Sequence, residues 1–231
     1  MKRDQTGPVR LVVFDCDGTL VDSQQMIIAA MEQAFASAEL PPPRAVDVRR
    51  LVGISLHEAI AALAPRVSPG DQAAICENYK TAFGDLRRNG DQEPLYSGAA
   101  EVLERLDAAG FLLGLATGKS RRGVNHTLGQ HGLLSHFATI QTGDSGPGKP
   151  HPAMLERAME EAGATPSQTV LVGDTTFDME MAGHAGATAI GVSWGYHEPG
   201  ELTDAGAVTV LKHFNELARV LTDLARHEKV L

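Results

Sequence analysis

Six short apolar runs, each about one strand long, fall at 11–14, 111–116, 137–141, 169–172, 188–192 and 208–211, and the segments between them carry the punctuation of helices. This alternation constrains the chain more than any other feature. A strand buried on both faces needs a near-continuous apolar run, and joining two parallel strands takes a crossover of about a dozen residues or more, usually a helix. Helices are expected at 98–109, 121–131 and 152–162, entered at Ser97, Ser120 and Pro152 and left at Gly110, Gly132 and Gly163. The expected fold class is α/β, with a Rossmann-like parallel sheet as its core.

The alternation fails between residues 21 and 92. No strand pattern occurs there, whereas 24–38, 56–63 and 71–86 read as helices, the second opened by the capping-box sequence Ser55-Leu56-His57-Glu58. Pro41, Pro42 and Pro43 separate two of these helices. A helical cap domain inserted after the first strand is expected over 21–92, leaving 1–20 and 93–231 as the catalytic core. A chain of 231 residues has room for both. Asp22 and Ser23 on one side, and Asn89, Gly90, Asp91 and Pro94 on the other, supply turn chemistry where such a body would hinge.

Charge and apolar content remove several classes of partner. The formal net charge is -9 and the Lys and Arg residues are scattered, so no basic stripe exists to displace counterions from nucleic acid. No stretch approaches the roughly 20 apolar residues of a membrane span, and no leader-type apolar segment follows the charged N-terminus. Cys16 and Cys76 lie far apart and read as reduced thiols, so a cytoplasmic protein is expected, as a monomer or homodimer. On such an acidic chain a phosphorylated small molecule must be held by local donors and a cation.

The strand ends carry the chemistry. Asp15-Cys16-Asp17-Gly18-Thr19 closes the first strand, where ligands of open parallel sheets bind. Taken alone, this could be a turn with a helix cap. Thr117-Gly118 closes a second strand as a hydroxyl beside backbone N–H groups, Gly148-Lys149-Pro150 holds an ammonium in a rigid loop, and Gly173-Asp174-Thr175-Thr176-Phe177-Asp178 adds two acids after another strand. Each has a bland reading, as turn, solvated charge or cap. Their common placement at strand ends, in this order, argues for one site.

On these motifs the chain resembles the haloacid dehalogenase superfamily, in the branch that includes phosphoglycolate phosphatases. The resemblance spans nearly the whole chain, with Gly118 standing where the family commonly has asparagine. It implies that Asp15 is a nucleophile toward phosphorus and Asp17 the general acid and base. It also implies that Asp15, Asp174 and the backbone carbonyl of Asp17 hold Mg2+, with Asp178 nearby or ligating through water. Thr117, Gly118, Lys149 and the N–H groups of Gly18 and Thr19 would bind the phosphoryl oxygens. Arg50 and the segment 52–55 align loosely with the family's substrate-facing region. The implied substrate is a small phosphorylated metabolite, with 2-phosphoglycolate in front.

Competing readings have identifiable signatures. His126, His131 and His136 recur every five residues, which does not keep them on one helical face, so a zinc site is not expected. Trp194 and Tyr196 read equally as site walls or as core packing. Asp17 argues against carbon–halogen cleavage, and Lys80 is poorly placed for a phosphonate-cleaving role. A mutase or pyrophosphatase of the same superfamily stays open. So does a non-catalytic binding relative, although every charged group of the site is intact.

Overall fold

The computed structural model describes residues 9–227; the first eight and last four positions of the expected core, with most of the charged N-terminal run, lie outside the described residues. The strands are β1 (Leu11–Phe14), β2 (Leu112–Thr117), β3 (Phe137–Thr142), β4 (Thr169–Gly173), β5 (Thr188–Val192) and β6 (Thr209–Leu211). They form one sheet in the order β3-β2-β1-β4-β5-β6, and every neighbouring pair is parallel. The expected α/β class with a parallel sheet is what the chain adopts.

The two-residue period of a strand explains how β1 anchors the core. Val12 and Phe14 enter one apolar cluster with Leu103, Leu115, Val172 and Leu217, while Leu11 and Val13 enter the opposite one with Met154, Leu155, Leu171 and Met179. The first face is covered by α5 (Ala99–Ala108), α6 (Arg121–Gln130) and α10 (Leu217–His227); the second by α7 (Ala153–Ala162), α8 (Thr176–Ala185) and α9 (Pro199–Asp204). From β1 the sheet grows outward to β2 and β3 on one side, and the chain then returns to β4 on the other. Such a reversal opens a crevice beyond the carboxyl ends of β1, β2 and β4.

Between β1 and α5 the regular elements are all helices: α1 (Gln24–Ser37), α2 (Ala45–Arg49), α3 (Leu56–Leu63) and α4 (Pro69–Arg88). They share their own apolar cluster, which includes Met31, Phe35, Ile60, Ile75 and Phe83. Ser55 and Glu58 form the capping box expected for α3. The α4 helix starts before the expected 71 because Ser68 caps it and Pro69 fits its first turn, where the missing N–H has no consequence. The two connections to the sheet run side by side: Val21 pairs antiparallel with Leu95, the Asp22 N–H donates to the Pro94 carbonyl at 2.8 Å, and the Tyr96 N–H donates to the Leu20 carbonyl at 3.0 Å.

Candidate active site

β1 delivers Asp15, β4 delivers Asp174, and the 148–150 loop brings Lys149 to Asp15. The Lys149 ammonium lies 2.5 Å from Asp15 Oδ1 and 2.6 Å from Asp178 Oδ1, and all three side chains are buried. Asp178 sits in the first turn of α8, where its Oδ2 accepts from the N–H of Thr175 at 3.1 Å and from its hydroxyl at 2.7 Å. A capping box therefore turns the other Asp178 oxygen toward Lys149. Asp174 Oδ1 accepts from the Thr19 hydroxyl at 2.8 Å and Oδ2 from the Tyr196 N–H at 2.9 Å. Gly18 makes room for this corner: it has φ +89°, and a Cβ there would lie 2.2 Å from Asp174 Oδ2.

Asp15 Oδ2 is buried without a protein partner. Asp15, Asp174 and Asp178 each offer an oxygen, all within 4.8 Å of one another, and among the described residues they form the acid, histidine or cysteine group able to share an ion. Were all three carboxylates ionised against the one ammonium of Lys149, two negative charges would be left over. Burial is the leading cause that pushes Asp15 up to about 7 from an ordinary 3.8; Lys149 pulls it back, and Asp178 and Asp17 add to the rise. Asp174 is driven well above the usual carboxylate range by burial first and then by Asp15 and Asp178. Burial works against the Lys149 charge, but Asp15 and Asp178 outweigh it and raise its pKa. An oxygen-only donor set, an orphaned carboxylate oxygen and, with all three ionised, a net charge of about minus two fit a hard divalent cation.

Asp17 points to a different neighbourhood. Its Oδ1 accepts a short hydrogen bond from the Ser23 hydroxyl and another from the Lys119 ammonium at 2.5 Å. Lys119 also reaches Glu93 Oε1 at 3.0 Å, and Glu93 Oε2 takes Arg87 at 2.6 Å and the Thr127 hydroxyl at 2.9 Å. Burial opposes the Lys119 charge, yet Asp17 and Glu93 prevail and raise its pKa. For Glu93, burial pushes upward and is outweighed by Lys119 and Arg87, so its carboxyl sits below the ordinary range.

Asp15, Asp17, Thr117 and Gly118 line a cavity of about 940 Å³ between the sheet and the helical insert, whose far wall includes Ile54, Tyr79 and Phe83. The Thr117 oxygen accepts from the Lys119 N–H at 3.2 Å, so its own hydroxyl proton is left to donate. A Cβ on Gly118 would stand 2.5 Å from the Ile54 carbonyl oxygen and 2.9 Å from that of Gly53. This contact accounts for glycine where asparagine was the family expectation.

Gly18, Thr19 and Arg50 make contacts of their own outside the cavity lining. The Gly18 N–H donates to the Val21 carbonyl at 2.9 Å and the Thr19 N–H to the Cys16 carbonyl at 3.3 Å, so these groups close the loop after β1. Thr19 contributes through its hydroxyl on Asp174. The Arg50 guanidinium pairs with Glu201 at 2.9 Å on the surface, with 58% of its side chain exposed. The residues that sequence reasoning missed are Ser23, Glu93, Lys119 and the backbone N–H of Tyr196. Lys119 could have been found, since it directly follows Thr117-Gly118; Glu93 carries no local signal. Trp194 serves packing against Phe214 and donates its indole N–H to the Thr19 carbonyl at 3.0 Å.

The family model described as haloacid dehalogenase-like hydrolase matches residues 12–192. The protein named Probable phosphatase IndB in Dickeya dadantii is 34% identical over 209 residues, covering 90% of this chain and 91% of that protein. A phosphoglycolate phosphatase of Vibrio vulnificus is 31% identical over 195 residues, covering 82% of this chain and 86% of its own length. Among solved structures, a hydrolase from Pseudomonas syringae superposes with a TM-score of 0.83 at 26% identity, over 94% of this chain and 99% of that one. Among the described residues no helix is long and apolar enough to cross a membrane.

Proposed function

The chain belongs to the haloacid dehalogenase-like hydrolase family, and from that premise we propose that it is a magnesium-dependent phosphatase that hydrolyses a small phosphomonoester through a phosphoryl-aspartate on Asp15. The observation that carries this reading is Asp15 itself. It stands at the carboxyl end of the central strand and lines the cavity, with one oxygen held by Lys149 and the other without a partner.

In this reading Asp15 forms a bond to phosphorus while the ester oxygen departs and takes a proton from Asp17. Both donors to Asp17 fall on Oδ1, which leaves Oδ2 to carry that proton. Asp17, now a carboxylate, then removes a proton from the water that attacks phosphorus and frees Asp15. Thr117 donates to a phosphoryl oxygen, and Lys149 holds Asp15 in the orientation of attack. Asp15, Asp174 and the backbone carbonyl of Asp17 would hold magnesium, with Asp178 beside them; when bound, the ion supplies the positive charge that lets one anion approach another. Residues 21–92 act as a cap over the 1–20 and 93–231 core and exclude stray water.

The relatives named phosphoglycolate phosphatase make 2-phosphoglycolate the leading substrate candidate. The test is phosphate release from a panel of phosphomonoesters with magnesium, with a chelator and with calcium. Turnover that requires magnesium, that calcium supports poorly and that Asp15→Asn abolishes is expected. Full activity after exhaustive chelation, or in a folded Asp15→Asn protein, overturns the reading.

A further inference from the structure

Besides the Ser23 hydroxyl, a chain of charges links Asp17 to the last helix of the insert. From Asp17 Oδ1 the contacts run to Lys119 at 2.5 Å, from Lys119 to Glu93 at 3.0 Å, and from Glu93 to Arg87 at 2.6 Å. Arg87 lies in the last turn of α4, the final helix of the insert, while Glu93 lies in the segment that returns to the sheet. Phe83, one turn earlier on α4, places its ring centroid 4.7 Å from the Arg87 guanidinium carbon and 5.4 Å from the Lys119 ammonium. The insert therefore touches Lys119 both through Glu93 and through an aromatic face.

All four charged side chains are at most 15% exposed. Stability alone does not explain such burial, because well-packed apolar residues of similar volume commonly do as well as a buried ion network or better. What charges add is direction. An ammonium held on one side by Glu93 can approach Asp17 along one line, and it lands on the oxygen that Ser23 also occupies. The other oxygen is thereby aimed away from the network, on the residue that lines the cavity.

We infer that Lys119 and Glu93 are positioning residues for Asp17, and that the Glu93–Arg87 pair ties this positioning to the placement of the helical insert. The inference rests on the reading of Asp17 as the general acid. Arg87 sets Glu93, Glu93 sets Lys119, and Lys119 fixes the Asp17 rotamer in which Oδ2 meets the leaving group. A shift of α4 is felt at the proton donor before any contact with substrate is lost.

The test uses leaving groups that differ in their need for a proton. An alkyl phosphate requires protonation of its departing alkoxide, whereas p-nitrophenyl phosphate releases a stable phenolate without it. The first phosphoryl transfer limits kcat/KM, so the ratio of kcat/KM for the two esters isolates the acid function. Asp17→Asn is the reference and should depress the alkyl ester far more than the aryl ester. Glu93→Gln, which keeps shape and removes charge, should lower kcat/KM for the alkyl ester about tenfold or more and for the aryl ester less than about twofold. Arg87→Gln should show the same bias, and if Glu93→Gln does not fold, Lys119→Gln makes the same comparison from the other side of the contact. Equal losses on both esters, or no loss, in a folded Glu93 or Lys119 variant overturn the positioning role while Asp17→Asn keeps its bias. An unbiased Arg87→Gln overturns the tie to the insert. If Asp17→Asn itself shows no bias, Asp17 is not the acid and the inference falls with that reading.

Discussion

The crowded carboxylates predict an unusual pH dependence for the metal-free protein. Asp15 has an ordinary value of 3.8 and is raised to about 7 in the folded chain, chiefly by burial. The folded state then binds the extra proton between those values, so stability falls as pH rises through that window. The difference of about three pH units corresponds to about 4 kcal/mol in total, of which ~2.5 kcal/mol falls between about pH 5 and pH 8. For a chain of this size that is a drop of roughly 5 to 10 °C in Tm. Asp15→Asn has no charge to lose, so it should be flatter than the native protein across the same window and more stable than it at about pH 8. Thermal and urea unfolding of both proteins in chelator, at the two pH values, measures the effect as a difference of differences. Magnesium should restore the native protein most at the higher pH, where ionised Asp15 adds to a carboxylate cluster that the one Lys149 ammonium does not neutralise. Parallel pH dependences for the native protein and Asp15→Asn would refute the argument that burial of Asp15 charge opposes folding.

Three further substitutions probe the surroundings. Lys149→Met leaves Asp15 and Asp178 without the ammonium at 2.5 and 2.6 Å, and denaturant unfolding at neutral pH should show a loss of roughly 3–5 kcal/mol. Gly118→Asn would bring a Cβ to 2.5 Å from the Ile54 carbonyl oxygen, so the 53–54 segment should move off the sheet and small-angle scattering should report a larger radius of gyration; an unchanged radius would contradict this. Arg50→Ala breaks an exposed pair with Glu201, so unfolding should change by less than about 1 kcal/mol, and the kcat/KM ratio between two phosphomonoesters should hold within about twofold.

The sheet was legible because most strands are short apolar runs ending at a turn residue, and the Asp15, Thr117 and Asp174 motifs stand at such ends. Asp15, Lys149, Asp174 and Asp178 come together because parallel strands place their carboxyl ends on one edge, a consequence of topology that the alternating pattern already implies. The same pattern could not reveal α2, only five residues long, or the exposed fate of Arg50, whose partner Glu201 lies 151 positions away. Nor could it show that the Gly18 and Thr19 N–H groups close their own loop, since that depends on backbone φ and not on residue type. Glu93 was invisible for another reason. A single acid in a linker looks solvated until the fold brings Lys119 and Arg87 to it.

The central claim, covalent catalysis by Asp15, is tested most directly by trapping the acyl phosphate. Enzyme mixed with magnesium and a slowly hydrolysed phosphomonoester is quenched during turnover, reduced with borohydride and digested, and the peptide that contains Asp15 is sequenced by mass spectrometry. The account predicts homoserine in place of Asp15 in the quenched sample and unchanged Asp15 when substrate is omitted. Homoserine at another aspartate, or unmodified Asp15 throughout steady turnover, would contradict it.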